Sequence, residues 1–275
     1  MPPLGLIAGE GVFPFLVARG ARSAGRRIVC IGLRGSARPE IAAEVDEFRW
    51  VSIVRLGSWI RLLRRAGVSE AIMVGRVVKT TMYARLAWLH NIPDLRTARL
   101  WFTRLRRDKR PFAILNALAD TLESEGIRLI DSTTYTQDQL VTPGVLTRTQ
   151  PSAAQLEDAR HGWELCRQLS RLDIGQSIAI KDKDVIAVEA LEGTNAMIER
   201  AGQLCKTGGW TLIKVANAHQ DMRMDVPTVG VTTIEKLAAA RAACVVLEAR
   251  KTTFLEREKV IELADRHGIA IVGMA

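Results

Sequence analysis

The sequence predicts an α/β protein built from two domains, and two observations support this prediction. In the first half, apolar runs typical of strands, at 4–9, 28–33 and 71–77, alternate with helical stretches. Such alternation favours a mostly parallel sheet. A second series of strands and helices with a different rhythm follows residue 150, and 275 residues suffice for two ordinary domains.

The elements of the first half follow from hydrophobic periodicity and from helix start and stop signals. LGLIAG at 4–9 is typical of a buried strand that runs into a glycine loop and then a helix. Ser58 is predicted to cap a helix that Gly67 closes. A later helix with apolar residues at four-residue steps is predicted to stop near Gly126, before a strand at 127–130.

The second half is predicted to be a separate mixed α/β domain. The polar, threonine-rich segment 132–150 is interpreted as a linker between an N-terminal domain at 1–131 and a C-terminal catalytic domain at 151–275. Ser152 and Gln155 form a capping-box pattern that begins a helix. The further predicted strands lie near 176–181, 184–190, 211–216 and 221–225, the helices near 195–204, 233–242 and 255–267, and a last strand at IAIVG.

The charge balance predicts anionic partners without choosing among them. The chain has 39 Lys plus Arg against 30 Asp plus Glu, a net charge of +9 and a pI near 9.8. Such charge favours nucleic acid, phosphorylated ligands or an acidic membrane surface. No apolar run approaches the ~18 residues that span a bilayer, and Glu10 interrupts the first one, so we expect neither a membrane span nor a secretory signal. The four cysteines show no close pairing and are expected to be free thiols.

The first loop, GLIAGEGVFP, suggests contact with a phosphate group. Gly9 and Gly11 let backbone amides approach an anion at a helix N-terminus, with Glu10 between them. Pro14 stands where the dinucleotide-binding fingerprint has its third glycine, and Leu33 ends the second strand where an acidic residue would hold a ribose. A tight turn without a ligand remains an alternative explanation of this loop.

A second loop, in AVEALEGTNAMIERAG, has the stronger pattern. A predicted strand runs into Glu192, Gly193, Thr194 and Asn195, and a helix begins at once. Thr194 or Asn195 is expected to cap that helix, and the same geometry presents amides and a hydroxyl to an anion. Glu192 stands beside it as a potential contact for a metal ion or a hydroxyl group.

Other polar residues occur where predicted strands begin or end. Asp173 and Gln176 precede a strand, and Gly75 and Arg76 lie at the end of a parallel strand, where such sheets usually bind ligands. Lys214 lies within an apolar strand, which requires an explanation. The alternatives are a role in binding an anion and an edge strand that holds the ammonium group in water.

The segment 82–110 is both basic and aromatic. Tyr83, Trp88, Trp101 and Phe102 interleave there with many arginines. Such a run suits nucleic-acid stacking and equally suits an amphipathic element that dips into an acidic bilayer. A solvated helix face with a buried aromatic stripe explains it as well.

The stretch HQDMRMDVPTVG at 219–230 alternates charged and apolar residues. Asp221, Arg223 and Asp225 recur at two-residue spacing, with methionines between them. This alternation predicts a half-buried strand whose charged side chains share one face while the methionines face the core. On local grounds a charged strand face and an active-site strand both remain open.

Five motifs in one order carry a resemblance over essentially the full chain. LGLIAGEGVFP, AIMVGRV, LDIGQS, AVEALEGTNAMIERAG and HQDMRMDVPTVG together resemble the UDP-2,3-diacylglucosamine pyrophosphatase family of lipid A biosynthesis, in its form without calcineurin-like metal motifs. The resemblance implies an N-terminal Rossmann-like parallel sheet, a distinct mixed α/β C-terminal domain and a substrate between them. It also implies hydrolysis of the substrate to UMP and the acylated sugar 1-phosphate with a divalent cation, usually Mg²⁺, or another such as Mn²⁺.

The resemblance assigns roles to individual residues of this chain. Asp225 falls on the essential acidic position, so Asp225 and Asp221 are expected to be catalytic and to hold the metal. Asn195 departs from the family pattern, which has an aspartate there, and this weakens a metal role for Asn195. The expected substrate contacts are Gly9, Glu10, Gly11, Gly75, Arg76, Asp173, Gln176, Glu192, Gly193, Thr194, Asn195, Lys214, Gln220 and Arg223.

The hypothesis that follows is a hydrolase of a lipid-linked sugar nucleotide, peripheral to the cytoplasmic face of the inner membrane. Its expected partners are the substrate and an acidic membrane surface but no nucleic acid, and a homodimer is one state to expect. Two alternatives remain open. A basic nucleic-acid-binding protein rests on net charge and on 82–110, and a nicotinamide-dependent oxidoreductase rests on the first loop.

Overall fold

A computed structural model describes residues 1–77, 92–106, 111–217, 221–224 and 226–275. The chain forms two compact units, Met1–Thr136 and Gln137–Ala275. Both combine a sheet with helices, so the predicted α/β class is confirmed. No helix in the described ranges is long and apolar enough to cross a membrane.

The N-terminal unit contains a five-stranded parallel sheet. Its strands are β1 (Leu4–Ala8), β2 (Ile28–Leu33), β3 (Glu47–Val51), β4 (Glu70–Val74) and β5 (Arg128–Leu129). Their order is β3-β2-β1-β4-β5, the arrangement of a doubly wound Rossmann-like sheet. The strand order reverses between β1 and β4, which pair in register. The loops that follow these two strands therefore lie at the point where sheets of this kind usually bind ligands.

Four helices accompany this sheet in the described ranges. They are α1 (Phe13–Ser23), α2 (Leu56–Arg65), α3 (Leu95–Leu100), which continues into a π turn at Trp101–Leu105, and α4 (Pro111–Glu123). The prediction that Ser58 caps α2 is wrong, because the helix already begins at Leu56. Its cap comes from a distant segment, where the Asp94 carboxylate accepts the Gly57 N–H at 2.7 Å.

The C-terminal unit contains a mixed six-stranded sheet. The strands of this sheet are β6 (Gly144–Val145), β7 (Ser177–Lys181), β8 (Asp184–Val188), β9 (Thr211–Lys214), β11 (Cys244–Glu248) and β13 (Ala270–Met274). Two short strands, β10 (Thr228–Val229) and β12 (Thr253–Phe254), form a separate parallel pair. The order in the large sheet is β6-β13-β11-β9-β7-β8. β9, β11 and β13 are parallel, whereas β6, β7 and β8 run antiparallel to their neighbours.

The helices of this unit are α5 (Ala153–Arg171), α6 (Thr194–Leu204), α7 (Val231–Ala239) and α8 (Arg257–Arg266). The capping box that begins α5 is confirmed, since Ser152 Oγ accepts the Gln155 N–H at 3.2 Å and Gln155 Oε1 accepts the Ser152 N–H at 2.8 Å. Apolar clusters cover the two faces of the sheet, one around Trp210 and one around Trp163.

Much of the segment interpreted as a linker belongs to the C-terminal unit. β6 pairs with β13, and Thr147 Oγ1 accepts the Ile271 N–H at 2.9 Å. The Thr149 N–H donates to Asp265 Oδ1 at 3.0 Å. The structure thus divides the chain after Thr136, because the polar residues that follow find their hydrogen-bond partners in the second sheet and its helices.

Candidate functional site

A cluster of polar side chains lies where the central parallel strands of the C-terminal sheet end. Lys214 ends β9 and Glu248 ends the parallel neighbour β11. Ser177, at the start of the antiparallel strand β7, pairs directly with Lys214. Because β7 runs antiparallel to β9, its first residue lies beside the carboxyl end of β9, and the carboxyl ends of parallel strands are the usual location of a ligand site in α/β sheets.

Lys214 is buried, with 5% of its surface exposed. The explanation by an edge strand is wrong, because β9 lies between β11 and β7 in the sheet. Its ammonium group donates to Thr194 Oγ1 at 2.7 Å, and the Thr194 hydroxyl donates to Glu189 Oε1 at 2.9 Å. A buried ammonium group is costly unless it is paired and hydrogen-bonded, so this chain of contacts explains how the fold accommodates Lys214.

Thr194 occupies this position because it is the first residue of α6. Gly193 is the N-cap residue, with φ of 81°, and no side-chain cap is present. The prediction that Thr194 or Asn195 caps the helix is therefore wrong. The hydroxyl of Thr194 is engaged by Lys214 and Glu189, and Asn195 is exposed.

Glu189 is a residue that the sequence reasoning missed. It follows β8 and is buried, with 6% of its surface exposed. Its second carboxylate oxygen, Oε2, is buried without a hydrogen-bond partner among the described residues. A carboxylate directly after an apolar strand and five residues before a helix start was the signal in the sequence. That signal became meaningful only when the fold joined Glu189 to Lys214.

Glu192 has local partners in the structure. Its Oε1 accepts from the Arg200 guanidinium at 2.6 Å, and its Oε2 accepts the Ala190 N–H at 3.1 Å. Hydrogen bonds from its own backbone N–H and from Arg200 hold the pKa of this carboxyl below its usual range. Glu192 therefore stays ionised and helps to shape the loop ahead of α6.

Asp173 and Gln176 anchor the segment that leaves β9. The Asn217 amide donates to Asp173 Oδ1 at 3.3 Å, and the Val215 N–H donates to the Gln176 carbonyl oxygen at 2.9 Å. From the other side, Glu248 Oε2 accepts the Ala216 N–H at 2.7 Å. These contacts hold residues 215–217, which directly follow Lys214.

The strand expected at 221–225 is not formed over 221–224, the part of it that the structure describes. Residues 222–224 form a turn, in which the Met224 N–H donates to the Asp221 carbonyl oxygen at 2.9 Å. Met222 and Met224 are half-buried and do not face a core. The Asp221 side chain accepts the Arg223 N–H at 3.0 Å, and such local bonds compete with the hydrogen-bond ladder of a strand.

Asp221 and Arg223 form an ion pair within this turn. Arg223 Nη2 lies 2.6 Å from Asp221 Oδ2, and Nε lies 3.0 Å from both carboxylate oxygens. Hydrogen bonding from Arg223 lowers the pKa of Asp221. Each of the two carboxylate oxygens thus accepts twice from Arg223. Gln220 and Asp225, both predicted site residues, lie outside the described residues.

The first glycine loop lies at the reversal point of the N-terminal sheet. The backbones of Glu10 and Arg76 form an antiparallel bridge, and their side chains form an ion pair at 2.8 Å. A Cβ atom on Gly9 would lie 2.8 Å from the Gly75 backbone, and Gly75 itself has φ of 96°. The glycines at 9 and 75 thus let the two loops touch, and Gly11, with φ of 109°, faces open space.

Part of the basic, aromatic segment is described, over 92–106. Here Leu95 and Phe102 are strongly exposed, and Arg104 pairs with Asp120 at 2.6 Å. Arg96 pairs with Glu125. The aromatic residues Tyr83 and Trp88 lie outside the described residues. Within the described ranges, no group of three or more His, Cys, Asp or Glu side chains is arranged to hold a metal ion.

Comparisons with known proteins identify the family. The LpxI N-terminal domain matches residues 3–139 and the LpxI C-terminal domain matches residues 142–272. A protein of Caulobacter vibrioides, named UDP-2,3-diacylglucosamine pyrophosphatase LpxI, is 30% identical over 284 aligned residues, which cover 100% of this chain and 98% of that protein.

Solved structures are similar only at a low level. The biotin carboxylase subunit of pyruvate carboxylase has 13% identity and a TM-score of 0.26, covering 75% of this chain and 42% of that chain. A nucleoside-diphosphate-sugar epimerase from Pseudomonas aeruginosa has 16% identity and a TM-score of 0.27, and the match covers 64% of this chain and 62% of the epimerase chain. At these scores neither similarity bears on function. The two domain matches and the full-length relative confirm the resemblance of the sequence motifs, and the chain belongs to the LpxI family.

Proposed function

We propose that this chain hydrolyses the pyrophosphate bond of UDP-2,3-diacylglucosamine to UMP and 2,3-diacylglucosamine 1-phosphate (lipid X), in lipid A biosynthesis. Its full-length relationship to a protein named for that pyrophosphatase activity supports the proposal. The structural observation that carries it is the buried ammonium group of Lys214, which donates a hydrogen bond to Thr194 at the carboxyl end of β9.

The residues around this end of β9 suit the chemistry of phosphoric anhydride cleavage. Attack of water on phosphorus requires neutralisation of the negative oxygens and a positioned nucleophile. Lys214 supplies a fixed positive charge. The first N–H groups of α6, at Thr194 and Asn195, belong to the helix terminus, where backbone donors favour an anion. Together they suit a phosphate group of a nucleotide.

We further propose Mg²⁺ or a similar divalent cation as cofactor, with Asp225 as its ligand or as the group that activates water. Asp221 suits this role in charge, because it stays ionised, but both of its oxygens accept from Arg223. Asp221 therefore binds an ion only after Arg223 moves. A hard cation prefers oxygen ligands and keeps several waters, so one or two carboxylates suffice. When bound, it would stabilise charge on the pyrophosphate.

Peripheral association with an acidic membrane surface is part of the same proposal. The substrate carries two acyl chains, and the described part of 82–110 exposes apolar and basic side chains together. A groove of about 860 Å³ nearby is lined by Arg61, Arg64, Arg65 and Arg96. Arg64 and Arg96 share Glu125 as ion-pair partner, so the groove keeps an excess of positive charge that lipid phosphates would complement.

UMP release from UDP-2,3-diacylglucosamine by the purified protein with Mg²⁺ tests the proposal. EDTA and Asp225→Asn run beside it, with Glu199→Gln as matched control, because Glu199, in the middle of α6, makes a surface ion pair with Lys236 of α7. We expect EDTA to abolish release and Asp225→Asn to lower it by about 10²- to 10⁴-fold. A folded but inert wild type would refute the substrate, and full activity of Asp225→Asn would refute its role. Hydrolysis in ¹⁸O-labelled water would then locate the attacked phosphorus.

A further inference from the structure

Glu189, Thr194 and Lys214 form a chain of three side chains, two of them charged and buried. Lys214 Nζ lies 2.7 Å from Thr194 Oγ1, which lies 2.9 Å from Glu189 Oε1. Ser177 Oγ lies 3.5 Å from the same hydroxyl. The hydroxyl of Thr194 is therefore the shared centre of the network.

The direction of each hydrogen bond follows from the chemistry of the groups. An ammonium group only donates, so the Thr194 oxygen accepts from Lys214. An ionised carboxylate only accepts, so the single hydroxyl proton goes to Glu189. The Thr194 hydroxyl consequently has no proton to give to a ligand while the network is intact. Its contribution is to link the carboxylate to the ammonium group.

Glu189 is fixed in place by backbone contacts. Its N–H donates to the Ser177 carbonyl oxygen at 2.9 Å, and Gly175 packs directly against its carbonyl group. Its Oε2 is buried and unpartnered among the described residues, so the hydrogen bond from Thr194 is the contact that the carboxylate makes there. Burial of an incompletely satisfied carboxylate is costly, which indicates a role beyond folding.

We propose that Glu189 is a positioning residue for the hydrolytic site: acting through Thr194, it holds the Lys214 ammonium where that group neutralises a phosphate oxygen of the nucleotide substrate. The inference rests on the proposed function and deepens it. Lys214 contacts the ligand, and Thr194 fixes the direction of the Lys214 ammonium group. Glu189 supplies the negative charge that stabilises this buried ammonium group.

A double-mutant cycle tests this chain of action. Glu189→Gln removes the charge and keeps the shape, and Thr194→Val removes the hydroxyl and keeps the shape. Each is expected to lower kcat/KM by about 10- to 100-fold, as when partners that orient a ligand-binding group are removed. If Glu189 acts through Thr194, the kcat/KM of the double variant is no lower than that of Thr194→Val alone. Thr194→Ser restores part of the loss by restoring the hydroxyl, and Glu199→Gln is the control.

A purely structural role would give a different pattern. The losses in kcat/KM would then be additive and would follow the fraction of folded protein, measured for each variant by urea unfolding. Additive losses, or a folded Glu189→Gln variant with wild-type kinetics, overturn the inference.

UMP affinity, measured by titration calorimetry on the same five proteins and the wild type, separates this inference from the proposed function. A wild type that releases no UMP from the substrate refutes the hydrolase proposal alone. The positioning role is still supported if Glu189→Gln and Thr194→Val each lower the UMP affinity and the double variant binds UMP no more weakly than Thr194→Val. Wild-type UMP affinity in Glu189→Gln, or no UMP binding by the wild type, overturns it.

Discussion

A Cβ atom on Gly175 would lie 1.9 Å from the carbonyl oxygen of Glu189. Only glycine permits this approach, which joins the LDIGQS segment to the residue after β8. The side chain of Glu189 accepts a hydrogen bond from Thr194, so the close approach of Gly175 lies at the backbone of a residue that belongs to the polar network.

Replacement of Gly175 by alanine is expected to lower the free energy of unfolding by about 1–3 kcal/mol, the usual cost of overpacking. Gly230→Ala is the comparison, because a Cβ there makes only ordinary contact at 3.5 Å and φ is −124°, so its cost is limited to that of an alanine at the N-cap of α7, at most about 1 kcal/mol. Urea unfolding of both variants measures the difference. An equal or smaller loss in Gly175→Ala would show that the backbone of β8 yields easily.

Replacement of Asp94 by alanine is expected to destabilise the N-terminal unit by about 1–3 kcal/mol, because two helix starts lose their acceptor. Asp94 accepts the Gly57 N–H of α2 at 2.7 Å and the Thr97 N–H of α3 at 2.9 Å. Asp120→Ala, which breaks only the exposed pair with Arg104, is expected to cost at most about 1 kcal/mol. Similar unfolding free energies for the two variants would contradict the capping role.

The stability that Asp265 contributes is expected to depend on pH. The Thr149 N–H, and then Arg148, hold the pKa of Asp265 below its usual range. Its contribution is therefore fully present above the unfolded pKa of about 3.9 and is lost as pH falls through the lower folded pKa. Unfolding free energies of wild type and Asp265→Asn should converge across that acidic range. A difference that stays constant with pH would contradict the prediction.

Among the four cysteines, Cys205 is expected to react first with iodoacetamide. Burial raises the pKa of Cys30, Cys166 and Cys244 to about 12 each, so near pH 8 only about one in 10⁴ of these thiols is a thiolate. Cys205 is only half-buried. Mass spectrometry of tryptic peptides measures the order, with labelling in urea as control. Rapid labelling of Cys166 in the native protein would reveal local opening of its cluster.

Much of the fold could be predicted because local signals agreed with the tertiary structure. The strands β1, β2 and β4 are continuous apolar runs, and Ser152 with Gln155 begins α5 by contacts within one helical turn. β3 was not predicted, since this edge strand, EFRWV, is largely accessible to solvent and lacks an apolar run. The start of α2 was misjudged because its cap, Asp94, comes from 37 residues away.

The candidate site was predictable in its residue types but not in its connections. Thr194 and Lys214 were recognisable from a helix start and from a lysine inside an apolar strand, 20 residues apart. Asp221 and Arg223 were expected on a strand, and a local hydrogen bond from the Arg223 N–H to the Asp221 side chain produced a turn. Alternation alone does not distinguish these outcomes, since it records polarity and not the competing local bond.

By itself, the sequence determined the α/β class, the family and the segments that carry its motifs, because apolar runs, caps and motif order are local properties of the chain. Only the tertiary structure decided that Lys214 is buried in an interior strand, that Thr194 gives its proton to Glu189, and that Gly175 makes room for the backbone carbonyl of Glu189. These relations join β7, β8, β9 and α6. They depend on which strands become neighbours, and burial then forces each charged group to find its partner there.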